Sequence, residues 1–285
     1  MSVAVTPAPH ELSTHVVDAQ RRRLSLDNLA ELWSYREVFF AFTVRHFKVR
    51  YKQAAIGVGW SLLQPLLAAG LFAVFLGRLV HLPGEGVPYF LFALAGLVLW
   101  TFFATALNSS ADSMLRDASM VRKVYFPREI LPLSAVAAAL ADLPAALLVL
   151  LGMDLAAGGR PSITWLLIPL PVFLLLLFAS ALGLILSALN VYYRDIRHVL
   201  PFFLQIIMFG SPIVYSLGVV PLQWRSLYQA LNPVATAVDD IRRLVLHDTW
   251  PDPVANATAL LTTMALLLVG YYVFQSLQRD FADHL

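Results

Sequence analysis

Cysteine is absent from this chain, which removes disulfides, thiolate nucleophiles and cysteine-based metal sites. Charge is scarce as well: 13% of the residues are Asp, Glu, Lys or Arg, against about 25% in an average soluble domain. The shortfall is concentrated in uncharged runs of about 20 residues, the length that crosses a hydrocarbon core about 30 Å thick. The three lysines follow Phe47, Tyr51 and Arg122, so there is no Gly-Lys step of a phosphate-cradling loop. ATP, if used, is expected on another polypeptide. His10, His15, His46, His81, His198, His247 and His284 are scattered without His-Glu-x-x-His spacing, so neither a metal site nor a hydrolytic site is expected. The first fifty residues lack an apolar run of the signal-peptide kind, so the first spanning helix is expected to direct insertion.

What is present is apolar. Hydrophobic residues make up 59% of the 285-residue chain and the mean hydropathy is +0.71. These values predict an all-α polytopic membrane protein. Residues 1–28 read as a polar, mobile tail. Residues 29–55 read as an amphipathic helix lying in the cytoplasmic interface. Ser34, Glu37, Ala41, Arg45, Lys48 and Lys52 define one face, with Leu32, Phe39, Phe40, Thr43 and Phe47 opposite.

Six spans are expected within residues 56–285: about Ile56–Leu79, kinked near Pro65, then Pro88–Leu107, Leu131–Gly152, Trp165–Leu189, Val199–Tyr215 and Val254–Phe274. The loop 108–130 is charged and aromatic, with Ser109 or Ser110 expected to cap a short helix through Val121. A second charged loop runs from Asn190 to His198. Residues 220–252 are too polar for a span and too patterned for a loop, so they read as a re-entrant helical hairpin. Its second helix has Val234, Val238, Ile241 and Val245 on one side, with Asp239, Asp240, Arg242 and Arg243 on the other. With the N-terminus in the cytoplasm, all but five of the twenty basic residues fall inside. That bias places both termini in the cytoplasm.

One acid, Asp142, lies within a span. It costs about 2.5–3.5 kcal/mol on insertion, which neighbouring leucines and valines offset. Its reading stays open between a transport-pathway group and an interhelical hydrogen bond. Asp239–Asp240 resembles a catalytic acid pair, but Asp239 with Arg243 is an i,i+4 ion pair on a helix face.

Five stretches carry a resemblance. They are Arg50-Tyr-Lys-Gln53 running into Ile56-Gly-Val-Gly-Trp-Ser-Leu-Leu-Gln-Pro65, Lys123-Val-Tyr-Phe-Pro-Arg-Glu-Ile-Leu-Pro132, Ala188-Leu-Asn-Val-Tyr-Tyr-Arg-Asp-Ile-Arg197, Ser211-Pro-Ile-Val-Tyr215 and Leu231-Asn-Pro233. In this order they resemble the permease subunits of type-2 ABC transporters that export polysaccharides such as O-antigen, capsule or teichoic acid. The resemblance implies a homodimer in a bacterial cytoplasmic membrane that moves a lipid-linked glycan. It implies two copies of a separate cytoplasmic ATPase holding ATP and Mg, no cofactor in this chain and no nucleic-acid partner.

Carried onto this sequence, the resemblance makes Arg116, Arg122, Lys123, Arg128 and Glu129 ATPase-coupling residues. The outer hairpin becomes a gate carrying Trp224, the Leu227–Tyr228 step, Asp239, Asp240, Arg242 and Arg243. Trp60, Trp100, Phe102, Phe103, Tyr215 and Asp142 become pore or substrate residues. The rivals are a type-2 exporter of a small molecule or lipid, a secondary carrier coupled through Asp142, and a membrane-embedded glycan or lipid enzyme.

Overall fold

The computed structural model describes residues 32–52, 59–278 and 281, with Arg122 as backbone only. Among these residues the chain is helical, without strands. Five helices are long and apolar enough to cross a membrane: Gly59–Leu79, Tyr89–Ala111, Ile130–Ala156, Ile163–Tyr192 and Pro253–Leu277. Where a fifth crossing was expected over Val199–Tyr215, there is a shorter apolar helix, Ile196–Gly210. Its 15 residues rise about 22 Å.

The leading helix, α1 (Arg36–Tyr51), buries Phe42 and His46. Phe42 packs in a cluster with Met114, Val121, Phe126 and Ile130, and the His46 ring lies 6.1 Å from that of Phe42. This differs from the faces expected: Phe40 is exposed, as are Trp33 and Val49. The helix therefore has two apolar faces, one packed on protein and one left open. Residues 53–58 and the tail lie outside the described residues.

The first span runs as α2 (Gly59–Phe72), with Pro65 inside it, and passes into a π-helical stretch, Ala73–Leu79. The second, α3 (Tyr89–Ala111), extends four residues past its expected end. Ser109 and Ser110 therefore sit inside α3 and cap nothing; Ser110 donates instead to the Pro132 carbonyl at 3.2 Å. The loop after it holds two short helices, α4 (Ser113–Arg116) and α5 (Ala118–Lys123).

The third span is broken into α6 (Ile130–Leu140) and α7 (Leu143–Ala156). Pro144 is the cause: at the second position of α7 it has no N–H to continue the α6 ladder. Asp142 stands in the break. The fourth span begins as a 3₁₀ turn, Ile163–Leu167, and continues as α8 (Pro169–Tyr192). Next come α9 (Ile196–Gly210), then α10 (Leu222–Leu231), α11 (Pro233–Val245) and α12 (Pro253–Leu277).

The Leu231-Asn-Pro233 motif is a helix start. Asn232 accepts from the Ala235 N–H at 3.2 Å, and Pro233 occupies the first helical position, where an N–H is not needed. α3 is the centre of the bundle: 78% of its apolar window is buried, against 11% for the first span. Small residues set the closest approach between α8 and α12, where a Cβ built on Gly270 would lie 2.6 Å from the Ala181 carbonyl oxygen. Close backbone packing of this kind holds helices together where lipid removes the hydrophobic drive.

Because the contact is with backbone, Gly270→Val forces α8 and α12 apart. We expect a loss of about 1–3 kcal/mol, read as a lowered unfolding temperature of the detergent-purified chain. Gly152→Val, at a position with open space around it, serves as the neutral control.

Candidate coupling surface, membrane cleft and outer hairpin

On the side where α1 packs, the loop between α3 and α6 is tied down by a buried acid that the sequence reading passed over. Asp117 is 1% exposed. It accepts from Arg45 of α1 at 2.8 Å, with Arg116 Nε at 4.0 Å and His46 Nε2 at 3.8 Å. Arg116 Nη2 stands 3.2 Å from His46 Nδ1. Arginine can only donate, so Nδ1 accepts and the imidazole proton sits on Nε2, facing Asp117. Burial, and then the Arg116 charge, bring the His46 pKa down to about 4. Burial also lowers the Arg116 pKa, with the acids partly restoring it. The cluster clamps α1 to the loop, and its only sequence signal was an acid in a basic stretch.

The expected coupling residues separate into two groups. Lys123 is exposed, next to exposed Met120, Val124 and Tyr125; the Arg122 side chain lies outside the described atoms. Arg128 and Glu129 instead face inward. Arg128 donates to the Gln278 carbonyl and lies 5.9 Å from the Phe281 ring centroid. Burial lowers its pKa. Glu129 is buried and accepts from Gln275. Both residues anchor the loop to the C-terminal helix. The second charged loop joins the first through Asp112, which pairs with Arg197 at 3.4 Å and accepts from Asn190 at 3.2 Å.

Within the bundle, three of the six expected pore residues meet. Trp60, Phe102 and Asp142 line one cleft of about 220 Å³ together with Arg50 and Tyr51. Trp100 and Phe103 are buried in the core, 5.7 Å apart, and Phe103 stacks on Phe178 at 5.4 Å. Tyr215 is elsewhere, its hydroxyl 3.3 Å from that of Tyr228.

The hairpin differs from its expected polar face. Asp239 and Arg243 form the i,i+4 pair at 2.7 Å, and Trp224 and Leu227 are exposed. Asp240 and Arg242, expected on the polar side, are both buried. Asp240 accepts from Asn256 of α12 at 3.1 Å. Arg242 donates to the carbonyls of Pro212 and Ile213 at 2.6 Å each, Phe92 at 3.2 Å and Tyr215 at 3.4 Å. Its guanidinium carbon also lies 3.5 Å from the Phe92 ring centroid. The physical reason is the break after α9: Ser211–Tyr215 is non-helical, and its buried carbonyls need donors. A five-donor fork supplies them where a helical N–H does not.

Two outcomes follow from these contacts. Arg242→Met strands several buried carbonyls, each costing about 1–3 kcal/mol; the purified chain is expected to melt markedly lower, whereas Arg243→Met shifts the melt little. For His46, the undocked imidazole titrates at the ordinary value of 6.5 and the docked one at about 4. Docking of α1 is therefore fully stable above about pH 6.5 and weakens as pH falls toward 4. Spin-label distances between α1 and α5 at pH 7.5 and pH 5 read this directly, and His46→Gln flattens the slope.

Residues 37–246 match the family model described as ABC-2 type transporter. The chain is 28% identical over 254 residues to the O-antigen export system permease protein RfbA of Myxococcus xanthus, an alignment covering 89% of this chain and 97% of that protein. It is 28% identical over 253 residues to RfbA of Klebsiella pneumoniae, covering 87% and 94%. To the polysialic acid transport protein KpsM of Escherichia coli it is 22% identical over 241 residues, covering 83% and 92%. With five long apolar helices among the described residues, the second of them buried at the centre, and a family match over most of its length, the chain belongs to the ABC-2 type transporter family as a non-catalytic, multi-pass permease subunit.

Proposed function

We propose that this permease exports a lipid-linked, O-antigen-like polysaccharide across a bacterial cytoplasmic membrane. It works as a homodimer with two copies of a cytoplasmic ATPase that bind ATP and Mg. The observation that carries the reading is alignment over nearly the whole length of relatives named for O-antigen export. In this reading residues 56–285 make six crossings, with α9 and the Ser211–Tyr215 stretch together serving as the fifth. Residues 29–55 lie in the cytoplasmic interface, supported by the exposed Trp33 and Phe40 beside a protein-packed face. Both termini are cytoplasmic, and the hairpin 220–252 lies at the outer mouth as a gate.

Exposed apolar side chains on the first span (Leu67, Leu71, Val74) and α9 (Phe202, Ile206, Phe209) suit a second copy and lipid. A long polymer must leave each contact after making it, so a pathway of weak aromatic and hydroxyl contacts fits this cargo. Coupling falls to the exposed residues Lys123, Val124 and Tyr125. Arg116, Arg128 and Glu129 act by holding that loop in place.

The test has two parts. First, the tagged chain is extracted gently from its native membrane and co-purifying proteins are identified. A stoichiometric ATPase is expected, depleted by Lys123→Glu with Tyr125→Ala and retained by Arg243→Gln. Second, the chain with that ATPase is expressed in a strain lacking its own permease. Surface polysaccharide is expected to return, and to be lost with the coupling double variant. Transport by the chain alone in ATP-free vesicles, abolished by Asp142→Asn, overturns the reading in favour of a secondary carrier. Efflux of small molecules or lipids, with no glycan at the surface, overturns the substrate class.

A further inference from the structure

We propose that the cleft between the first three spans is an anion subsite, in which Arg50 takes the phosphate of a lipid headgroup and Asp142 is the built-in counter-ion that the phosphate displaces. The assignment rests on the lipid-linked substrate proposed above and names the part of it that this site holds.

Arg50 lies one residue before the end of α1 and reaches across to the break in the third span. Its Nη1 donates to Asp142 Oδ2 at 2.7 Å and its Nη2 to Ser109 Oγ at 3.3 Å. Only one guanidinium nitrogen meets the carboxylate, so the contact is monodentate. The two parallel bonds that make Arg–carboxylate recognition strong are not formed. A guanidinium has five N–H donors, and this one spends few of them. Arg50 is also the more open member of the pair, with 21% of its side chain accessible against 13% for Asp142. A phosphate arriving from the cleft therefore meets the cation first.

Arg50 and Tyr51 stand where α1 ends, with Arg50 bonded to Ser109 in the last turn of α3. The lining adds the hydrogen-bonding groups of Gln64, Thr101 and Thr105 and the aromatic faces of Trp60 and Phe102 to a largely apolar wall. Trp60 is half exposed. A cation beside hydroxyl, amide, aromatic and apolar surfaces suits a phosphate ester carrying a sugar or an apolar tail.

The surrounding field has the same sign. Arg45, Lys48, Lys52 and Arg116 lie on the same end of α1 and the adjoining loop, opposed there by Asp117 and Asp142. Such an excess attracts anions to the membrane surface. A phosphate ester accepts two parallel bonds from a guanidinium, where the Asp142 contact uses one, which lets it compete for Arg50. Tyr51 lines the cleft with Asp142, and burial, then the neighbouring Asp142 carboxylate, raise the Tyr51 pKa.

The test uses the full chain in phosphatidylcholine nanodiscs, with farnesyl pyrophosphate as probe and farnesol as its phosphate-free counterpart. Binding is read by native mass spectrometry and a thermal melt is recorded for every variant. Farnesyl pyrophosphate is expected to bind and farnesol not. Arg50→Gln is expected to weaken binding roughly tenfold or more, the scale of one lost charge-assisted hydrogen bond. Asp142→Asn, which removes the internal competitor, is expected to hold or increase affinity. Arg50→Lys keeps the charge and the Asp142 pair but loses the planar fork, and is expected to fall between. It carries the test if Arg50→Gln does not fold.

Unchanged affinity in a folded Arg50 variant overturns the proposal. So does an equal loss in Asp142→Asn, which makes the pair a structural unit. Nanodiscs containing phosphatidylglycerol separate the two sources of lipid phosphate. Retained probe binding supports the substrate headgroup, and displacement by the phospholipid overturns it. Arg50-dependent binding in a chain that restores no surface polysaccharide sinks the proposed cargo and leaves the subsite standing.

Discussion

A backbone carbonyl that leaves its helix inside a membrane protein has no water to turn to, and the fold depends on how that demand is met after α9. Ser211–Tyr215 abandons helical geometry where the chain turns toward the hairpin. Four successive carbonyls are then satisfied from elsewhere: Arg242 takes those of Pro212, Ile213 and Tyr215, and the Tyr89 hydroxyl takes that of Val214. Since Arg242 also donates to Phe92 near the start of α3, one guanidinium joins the hairpin, the short helix and the central span. A buried arginine without a carboxylate is costly in isolation. Here the desolvated charge is paid for by dipoles the break had already exposed.

The opposite end of the bundle follows the same logic with ionised partners. Asp117 is buried beneath Arg45, His46 and Arg116, while Glu129 and Arg128 hold the far end of the loop to α12. The loop between these two anchors presents Lys123, Val124 and Tyr125 outward. That surface is held at both ends and linked to α1 at one of them. The Arg50–Asp142 pair lies about one turn further along α1.

How far the sequence could be read depended on the period of the signal. The long spans were legible because about 20 uncharged residues have one stable solution in a bilayer. The Asp239–Arg243 pair was legible because i,i+4 neighbours meet on any helix. Of the six residues expected at a pore, Trp60, Phe102 and Asp142 line one cleft. Trp100 and Phe103 were chosen by the same reasoning and pack in the core, because the rotation of an all-apolar helix about its axis leaves no mark on its composition. Arg242 was placed with the polar face for a related reason: a helical wheel records direction and carries nothing about a gap in a neighbouring backbone.

Composition and spacing by themselves determined that the chain is helical and membrane-embedded, without cysteine chemistry and without a phosphate-binding loop of its own. Those properties are sums over residues or local patterns, and sums survive ignorance of contacts. The tertiary structure alone decided that the third span breaks to present Asp142 to Arg50, that Asp117 anchors the loop, and that Arg242 closes the backbone after α9. Each of these pairs a side chain with a group dozens of residues away. What those groups need is set by burial and by lost hydrogen bonds, which exist only once the helices have packed.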